Sequence, residues 1–254
     1  MKTLTVSSFG YSPMKGTQHM HRRSGHLLNS FLQEDRRLCL VDITSRKVIR
    51  TVQHPELMAI EVFLDIEKAS ACIVFPGKKG REVKLVPQET AIGDFWGRSV
   101  TLGILDTPVN QLFSDLLRQE VSLALVEPGA ILFGAPFSLI GSATIEELAS
   151  QLNYPSLVHE AARFRSTFLI KTERPFEEEK WEGESFILRN ERGVLPANLQ
   201  NQIITVGQPI GRCAVVDSNP ATGTRDLKLL KHLAKTRLLT SAGEPRLGMY
   251  AKAG

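Results

Sequence analysis

Short β-prone runs separated by turn residues recur through the first hundred residues, at 4–6, 38–43, 47–52, 58–64, 71–75 and 83–86. Runs of this length read as strands rather than helices, and their spacing suggests a small barrel or a strongly bent sheet. Strands of this kind need an apolar supply to bury, and 42% of the 254 residues are hydrophobic against 23% charged. That balance belongs to a globular chain rather than a disordered one. The length suits one large domain or two modest ones.

Helical signals enter after residue 105. Asp106, with Pro108 in the first turn, predicts a helix running to about 119 with Leu112, Leu116 and Leu117 on one face. Segments 123–126 and 131–133 are strand candidates around the Pro128-Gly129 turn. Thr144-Ile145-Glu146-Glu147 is a capping-box pattern that opens a second helix, with Leu148 and Leu152 on its face. Strands are expected at 167–171, 185–188, 202–206 and 247–251, an irregular stretch at 190–201, and a third helix at 226–236 carrying Leu229, Leu230 and Leu233. The expected class is mainly β with α. It has an N-terminal β-barrel-like domain over 1–125 and a second β-barrel with peripheral helices over 126–254.

Charge and cysteine usage exclude several classes. A net charge of +4 is mild and scattered, so no nucleic-acid partner is expected, whereas a basic pocket for one small anion fits. The longest apolar region, 121–140, is broken by Glu127, Pro128, Gly129, Gly134 and Pro136 and cannot span a bilayer as one helix. Residues 1–8 alternate like a strand and lack an apolar signal core, which makes the cytoplasm the expected location. Three cysteines do not make a disulfide framework and point to a reducing compartment. Cys39 and Cys72 lie in apolar runs and read as buried small hydrophobes.

Cys213 differs, because Arg212 stands beside it. Within Gln208–Asp217 a glycine turn delivers Arg212 and Cys213 to the start of the apolar β-branched run 214–216, at the mouth of an expected strand, and Asn219-Pro220-Ala221-Thr222-Gly223 turns the chain away. A thiol next to a guanidinium suits a soft metal beside an anion. The same pair also allows a nucleophile, with His159 or His232 approaching in space, or a sulfur carrier. No Gly-rich phosphate loop, Rossmann fingerprint, Cys-x-x-Cys or His-Glu-x-x-His is present. The histidines at 19, 21 and 26 flank Arg22 and Arg23, which would repel a cation, and that segment reads as a solvated loop. Lys15, Arg36, Arg37, Arg163, Arg165 and Arg212 are far apart in sequence. If they converge, they would hold a phosphate-bearing cofactor whose metal takes the thiolate.

Five ordered motifs in the last hundred residues carry a resemblance: Arg163-Phe164-Arg165, Pro175-Phe176-Glu177-Glu178-Glu179-Lys180-Trp181, Gly211-Arg212-Cys213, Asn219-Pro220-Ala221-Thr222-Gly223 and Leu247-Gly248-Met249-Tyr250. Together they resemble the MOSC domain, the module at the C-terminus of molybdenum cofactor sulfurases. Pro13-Met14-Lys15-Gly16, Glu34-Asp35-Arg36-Arg37 and Gln53-His54-Pro55-Glu56-Leu57 resemble the N-terminal β-barrel region that precedes it in the amidoxime-reducing component. The resemblance implies that Cys213 is a molybdenum ligand and catalytic residue, with Glu179 lining the metal site. It implies that Lys15, Arg36, Arg37, Arg163, Arg165 and Arg212 hold the molybdenum cofactor (molybdopterin). It allows the first forty or so residues to belong physically to the C-terminal barrel. The implied activity is reduction of N-hydroxylated small molecules, with electrons from a separate flavin, iron–sulfur or haem reductase. Sulfur transfer through a Cys213 persulfide and cofactor binding without catalysis are the alternatives. Pyridoxal phosphate, carried on a separate domain in full-length sulfurases, is not expected. This chain has Gly16, Ser166-Thr167, Glu179-Lys180 and Ile210 where the family usually has serine, Pro-Asn, Asp-Ser and, in some members, a second cysteine.

Overall fold

The computed structural model describes residues 2–191 and 193–254. Met1, at the head of the expected N-terminal strand, and Arg192, inside the expected irregular stretch, lie outside them. The chain is mainly β, with a six-stranded barrel and three α-helices among the described residues. The first half runs β1 (Lys2–Tyr11), β2 (Met20–His21), β3 (Leu27–Leu28), β4 (Phe31–Leu32), β5 (Leu38–Asp42), β6 (Glu61–Asp65), β7 (Ser70–Val74), β8 (Arg81–Lys84), β9 (Glu89–Phe95), β10 (Arg98–Leu105), α1 (Val109–Leu117) and β11 (Val121–Leu125). The second runs β12 (Phe137–Gly141), α2 (Ser142–Gln151), β13 (Phe168–Ile170), β14 (Ser185–Asn190), β15 (Ile203–Gly211), α3 (Leu229–Thr236) and β16 (Arg246–Ala253).

The barrel is closed by the N-terminal strand. Its order is β13-β12-β16-β15-β14-β1, and β1 also pairs with β13. β1 lies antiparallel to β13 and parallel to β14. A register shift between Val6 and Ser8 changes the parity of β1: Leu4 and Val6 point inward before it, Phe9 and Tyr11 after it. Phe9, Phe137 and Phe168 stack inside, with ring centroids 5.9 and 5.4 Å apart around Phe168. Burying each contributes roughly 2–3 kcal/mol. The alternate residues Ile140, Leu169 and Leu247 face outward onto α2 and α3, where Ile145, Leu148, Leu229 and Leu233 cover them.

Of the remaining strands of the first half, β2 pairs with the end of β1, β3 pairs with β4, and the others form two sheets among the described residues, one ordered β5-β11-β10-β9 and one ordered β6-β7-β8. Alternation along β5 divides their cores: Leu38 and Leu40 face α1 and the three-stranded sheet, while Cys39 and Val41 face Phe95, Val100 and Leu102. Cys39 is buried as expected, and Cys72 is partly buried.

Several local expectations are corrected. The helix starts at Val109 rather than at Asp106, and its buried face is the i, i+4, i+8 stripe of Val109, Phe113 and Leu117, which leaves Leu116 exposed. The capping box does not form: Thr144 lies inside α2, and its hydroxyl donates to Glu178 and accepts the amide of Phe176. Segment 131–133 is not a strand, because Gly129 and Gly134 adopt positive φ on either side and fold it into turns. Segment 47–52 contributes only isolated bridges. His19 is buried, with Nδ1 unpartnered, rather than part of a solvated loop.

Candidate functional site

The segment around Cys213 is built the other way round from the sequence expectation. The strand precedes it: β15 ends at Gly211, and Ala214–Asp217 is a short 3-10 turn, not a strand. Cys213 occupies the residue before that turn with extended backbone (φ −113°, ψ 178°), and it is exposed. Arg212 turns inward. Its Nε donates to Leu247 O at 2.8 Å and its Nη1 to Phe164 O at 2.7 Å, while Nη2 is buried with no partner. Gly248 lets this happen: its φ is +73°, and a Cβ there would lie 3.1 Å from Arg212 Nη2 and 2.6 Å from Leu139 O.

Cys213 opens onto a cavity of about 280 Å3. Six basic residues line it, Lys15, Arg36, Arg50, Arg163, Arg165 and Arg212, against one carboxylate, Glu244. These cations arrive from distant segments because β1 is part of the barrel: the turn after β1 brings Lys15 beside the loop that carries Arg165. Gly16 supports that turn with φ +91°, and a Cβ there would sit 3.1 Å from Leu57. Any L side chain at this position would be strained.

The basic residues are engaged differently. The Lys15 ammonium sits 5.1 Å from the Phe95 ring centroid, and burial with Arg36 and Arg165 nearby pushes its pKa down to about 8. Arg36 lines the cavity and pairs with the buried Asp35. Arg165 has left-handed backbone (φ 51°); its Nη1 donates to Thr17 O at 2.8 Å and its Nη2 to the Ser12 hydroxyl at 2.7 Å. Burial and the neighbouring Arg36 lower its pKa, yet a guanidinium keeps its proton at neutral pH. Arg163 is fully buried and bracketed by Glu160 and Asp226, with Nη1 at 2.8 Å from Asp226 Oδ1. Its charge is therefore already balanced.

Two residues named from the sequence do not line the cavity. Arg37 donates from Nε to Val126 O at 2.7 Å and from Nη1 to Gln33 O at 3.3 Å, and its neighbour Arg36 takes the cavity wall. Glu179 pairs with Arg237 at 2.6 Å, and Arg237 lies over the Phe176 ring at 3.6 Å. Burial raises the Glu179 pKa, and Arg237 opposes that shift. The adjacent Glu178 is the buried member of this acidic run, accepting from Gly141 N and the Thr144 hydroxyl. No histidine lines the cavity, so neither His159 nor His232 pairs with Cys213 there. No cluster of three or more His, Cys, Asp or Glu side chains arranged to hold a metal occurs among the described residues.

Sequence reasoning missed Arg50. It lines the cavity with its guanidinium 4.1 Å from the Trp96 ring centroid. Trp96 and Phe133 form an exposed aromatic rim, centroids 5.7 Å apart. The only sequence cue was an exposed-type aromatic in a Trp-Gly turn.

No family model and no curated protein matches this chain. Among solved structures, the solution structure of a structural-genomics target protein from Bordetella bronchiseptica is similar over 38% of this chain and 76% of that one, at 13% identity and a TM-score of 0.31. A likeness of that size says nothing of what this chain binds. No helix among the described residues is long and apolar enough to cross a membrane.

Proposed function

We propose that this cavity is a cofactor site, that the cofactor is the molybdenum cofactor, and that the protein is an oxidoreductase acting on N-hydroxylated small molecules. The observation that supports the reading is the exposed Cys213 thiol at the edge of a cavity with six basic residues and one carboxylate in its walls. The donor set suits the group: a single soft thiolate for the metal and guanidiniums for a phosphate. The unpartnered Nη2 of Arg212 leaves one donor over for an oxygen acceptor. At about 280 Å3 the cavity is near the lower end of ligand pockets, about 300–1,000 Å3, so an elongated ligand would also occupy its open mouth.

When bound, the cofactor would supply two-electron oxygen-atom chemistry at its metal. Cys213 Sγ would be the protein ligand to that metal. Lys15, Arg36 and Arg165 would fix the anionic end, and Arg212 would hold the cysteine segment in place through Phe164 and Leu247. Electrons would come from a separate reductase of flavin, iron–sulfur or haem type.

One observation favours a second reading. The exposure of Cys213 leaves its thiol open to a partner, as a persulfide carrier requires. Elemental analysis and reductase assays on protein made in a host that makes the cofactor separate the two. Stoichiometric molybdenum and N-hydroxy reduction with an added electron donor, both lost in Cys213→Ala, support the first. Cyanide-labile sulfur on Cys213 without molybdenum supports the second. Full molybdenum and full activity in Cys213→Ala would overturn the ligand assignment.

A further inference from the structure

A second cavity, of about 340 Å3, adjoins the first, and Arg50 and Trp96 line both. Its other walls are mostly polar, with Asp42, Lys47, Gln53, His54, Asp94 and Gln119 beside the apolar Val48 and Ile49. We infer that the Arg50–Trp96 stack is a ligand subsite at the junction of the two cavities. It takes a nucleotide with an amino-bearing base, its phosphate on Arg50 and its ring against Trp96 in the second cavity.

Three observations carry this. Arg50 is a half-buried guanidinium that no carboxylate pairs with among the described residues, and Trp96 holds it in place from one side. The ring itself is held in an unfavourable place: Trp96 and Gly97 form the two-residue turn between β9 and β10 with φ of 56° and 78°. Bulky residues rarely occupy left-handed backbone, and strain of this sort gathers at binding sites. Asp94 braces the turn by accepting the Gly97 amide at 2.6 Å, which leaves Trp96 48% exposed.

The walls of the second cavity are mixed in charge. Lys47 and Arg50 face Asp42 and Asp94. Asp42 is already held by Ser45 and by Gln119 at 2.6 Å, and these hydrogen bonds pull its pKa down to about 2, so it stays an acceptor. His54 is tied to Glu56 at 3.1 Å. Two carboxylates repel a bare dianion but accept from an exocyclic amine, and two amide side chains can serve either edge of a base. A ligand anionic at one end and donating at the other fits this lining. The inference stands apart from what Cys213 ligates.

The test uses the full chain with AMP, UMP, adenosine and inorganic phosphate. AMP is expected to quench tryptophan fluorescence saturably, and Trp96→Phe to remove the quenching while Trp181 remains. Arg50→Gln should weaken AMP by about tenfold or more, since a charge-assisted phosphate contact is lost. UMP, without an exocyclic amine, should bind several-fold more weakly. Saturation-transfer NMR on the unaltered protein reads AMP binding without relying on any variant. No saturable AMP binding by about 1 mM, AMP affinity unchanged in Arg50→Gln, or phosphate binding as tightly as AMP would each overturn the inference. Cys213→Ala should leave AMP affinity unchanged, so this site and the proposed metal site fail or stand separately.

Discussion

Arg165 donates through Nη2 to the hydroxyl of Ser12 at 2.7 Å, across 153 residues of sequence. This bond ties the loop before β13 to the turn after β1. It fixes one wall of the cavity against another, and the same guanidinium holds Thr17 O.

Arg165→Ala is expected to cost about 2–3 kcal/mol, because hydrogen bonds to a charged donor are lost and two acceptors lose their partner. Ser12→Ala should cost about 1 kcal/mol. Arg165→Lys should recover little, since one ammonium cannot reproduce the two-pronged geometry. Urea denaturation of the three variants measures this, and equal costs for Arg165→Ala and Ser12→Ala would contradict it.

Lys15 gives the site a pH dependence. Its pKa falls from 10.5 in the unfolded chain to about 8 in the folded one, chiefly through burial. Below pH 8 both states carry the charge, and the folded state bears the full desolvation cost. From about pH 8 to 10.5 the unfolded chain still holds the proton that the folded chain has lost, so this group adds stability as pH rises. Anion binding moves the opposite way, weakening as Lys15 neutralises. Sulfate is the suitable probe because its own charge does not change in this range. Calorimetric sulfate affinity should drop between about pH 7 and 9, either side of the folded-state pKa, and Lys15→Met should flatten the drop.

Arg163 should behave as a structural residue. Arg163→Met leaves Glu160 and Asp226 without their cation and is expected to cost about 3–5 kcal/mol in urea denaturation. Its charge is already balanced by those carboxylates, so sulfate affinity should change by less than about twofold. A large loss of sulfate binding in a variant that folds would show that Arg163 serves the cavity directly.

The mainly β class was legible because short alternating runs and turn residues are local signals. Leu38 and Leu40 against Cys39 and Val41 show that period of two directly. Helix edges were less legible. Thr144 has the sequence of a cap, but the buried carboxylate of Glu178, thirty-four residues on, captures its hydroxyl. The reading of 214–216 as a strand failed for a similar reason. Its β-branched residues fit a strand, but β15 already pairs with β16 up to Gly211, and the chain turns there.

By itself the sequence marked out Cys213 as the one cysteine beside a cation, and it supplied the scattered basic residues. Which of them share a wall was a tertiary decision. β1 closes the barrel between β13 and β14, and that closure carries Lys15 and Arg36 to the cavity while Arg37 turns to Val126. Arg50, which no sequence pattern singled out, reaches the same cavity from the segment that bridges to Val41 and Asp94. Neighbouring residues leave the backbone in different directions, so adjacency in sequence could not separate Arg36 from Arg37. Only the packing around each guanidinium settled which one faces the cavity and which one ties down a loop.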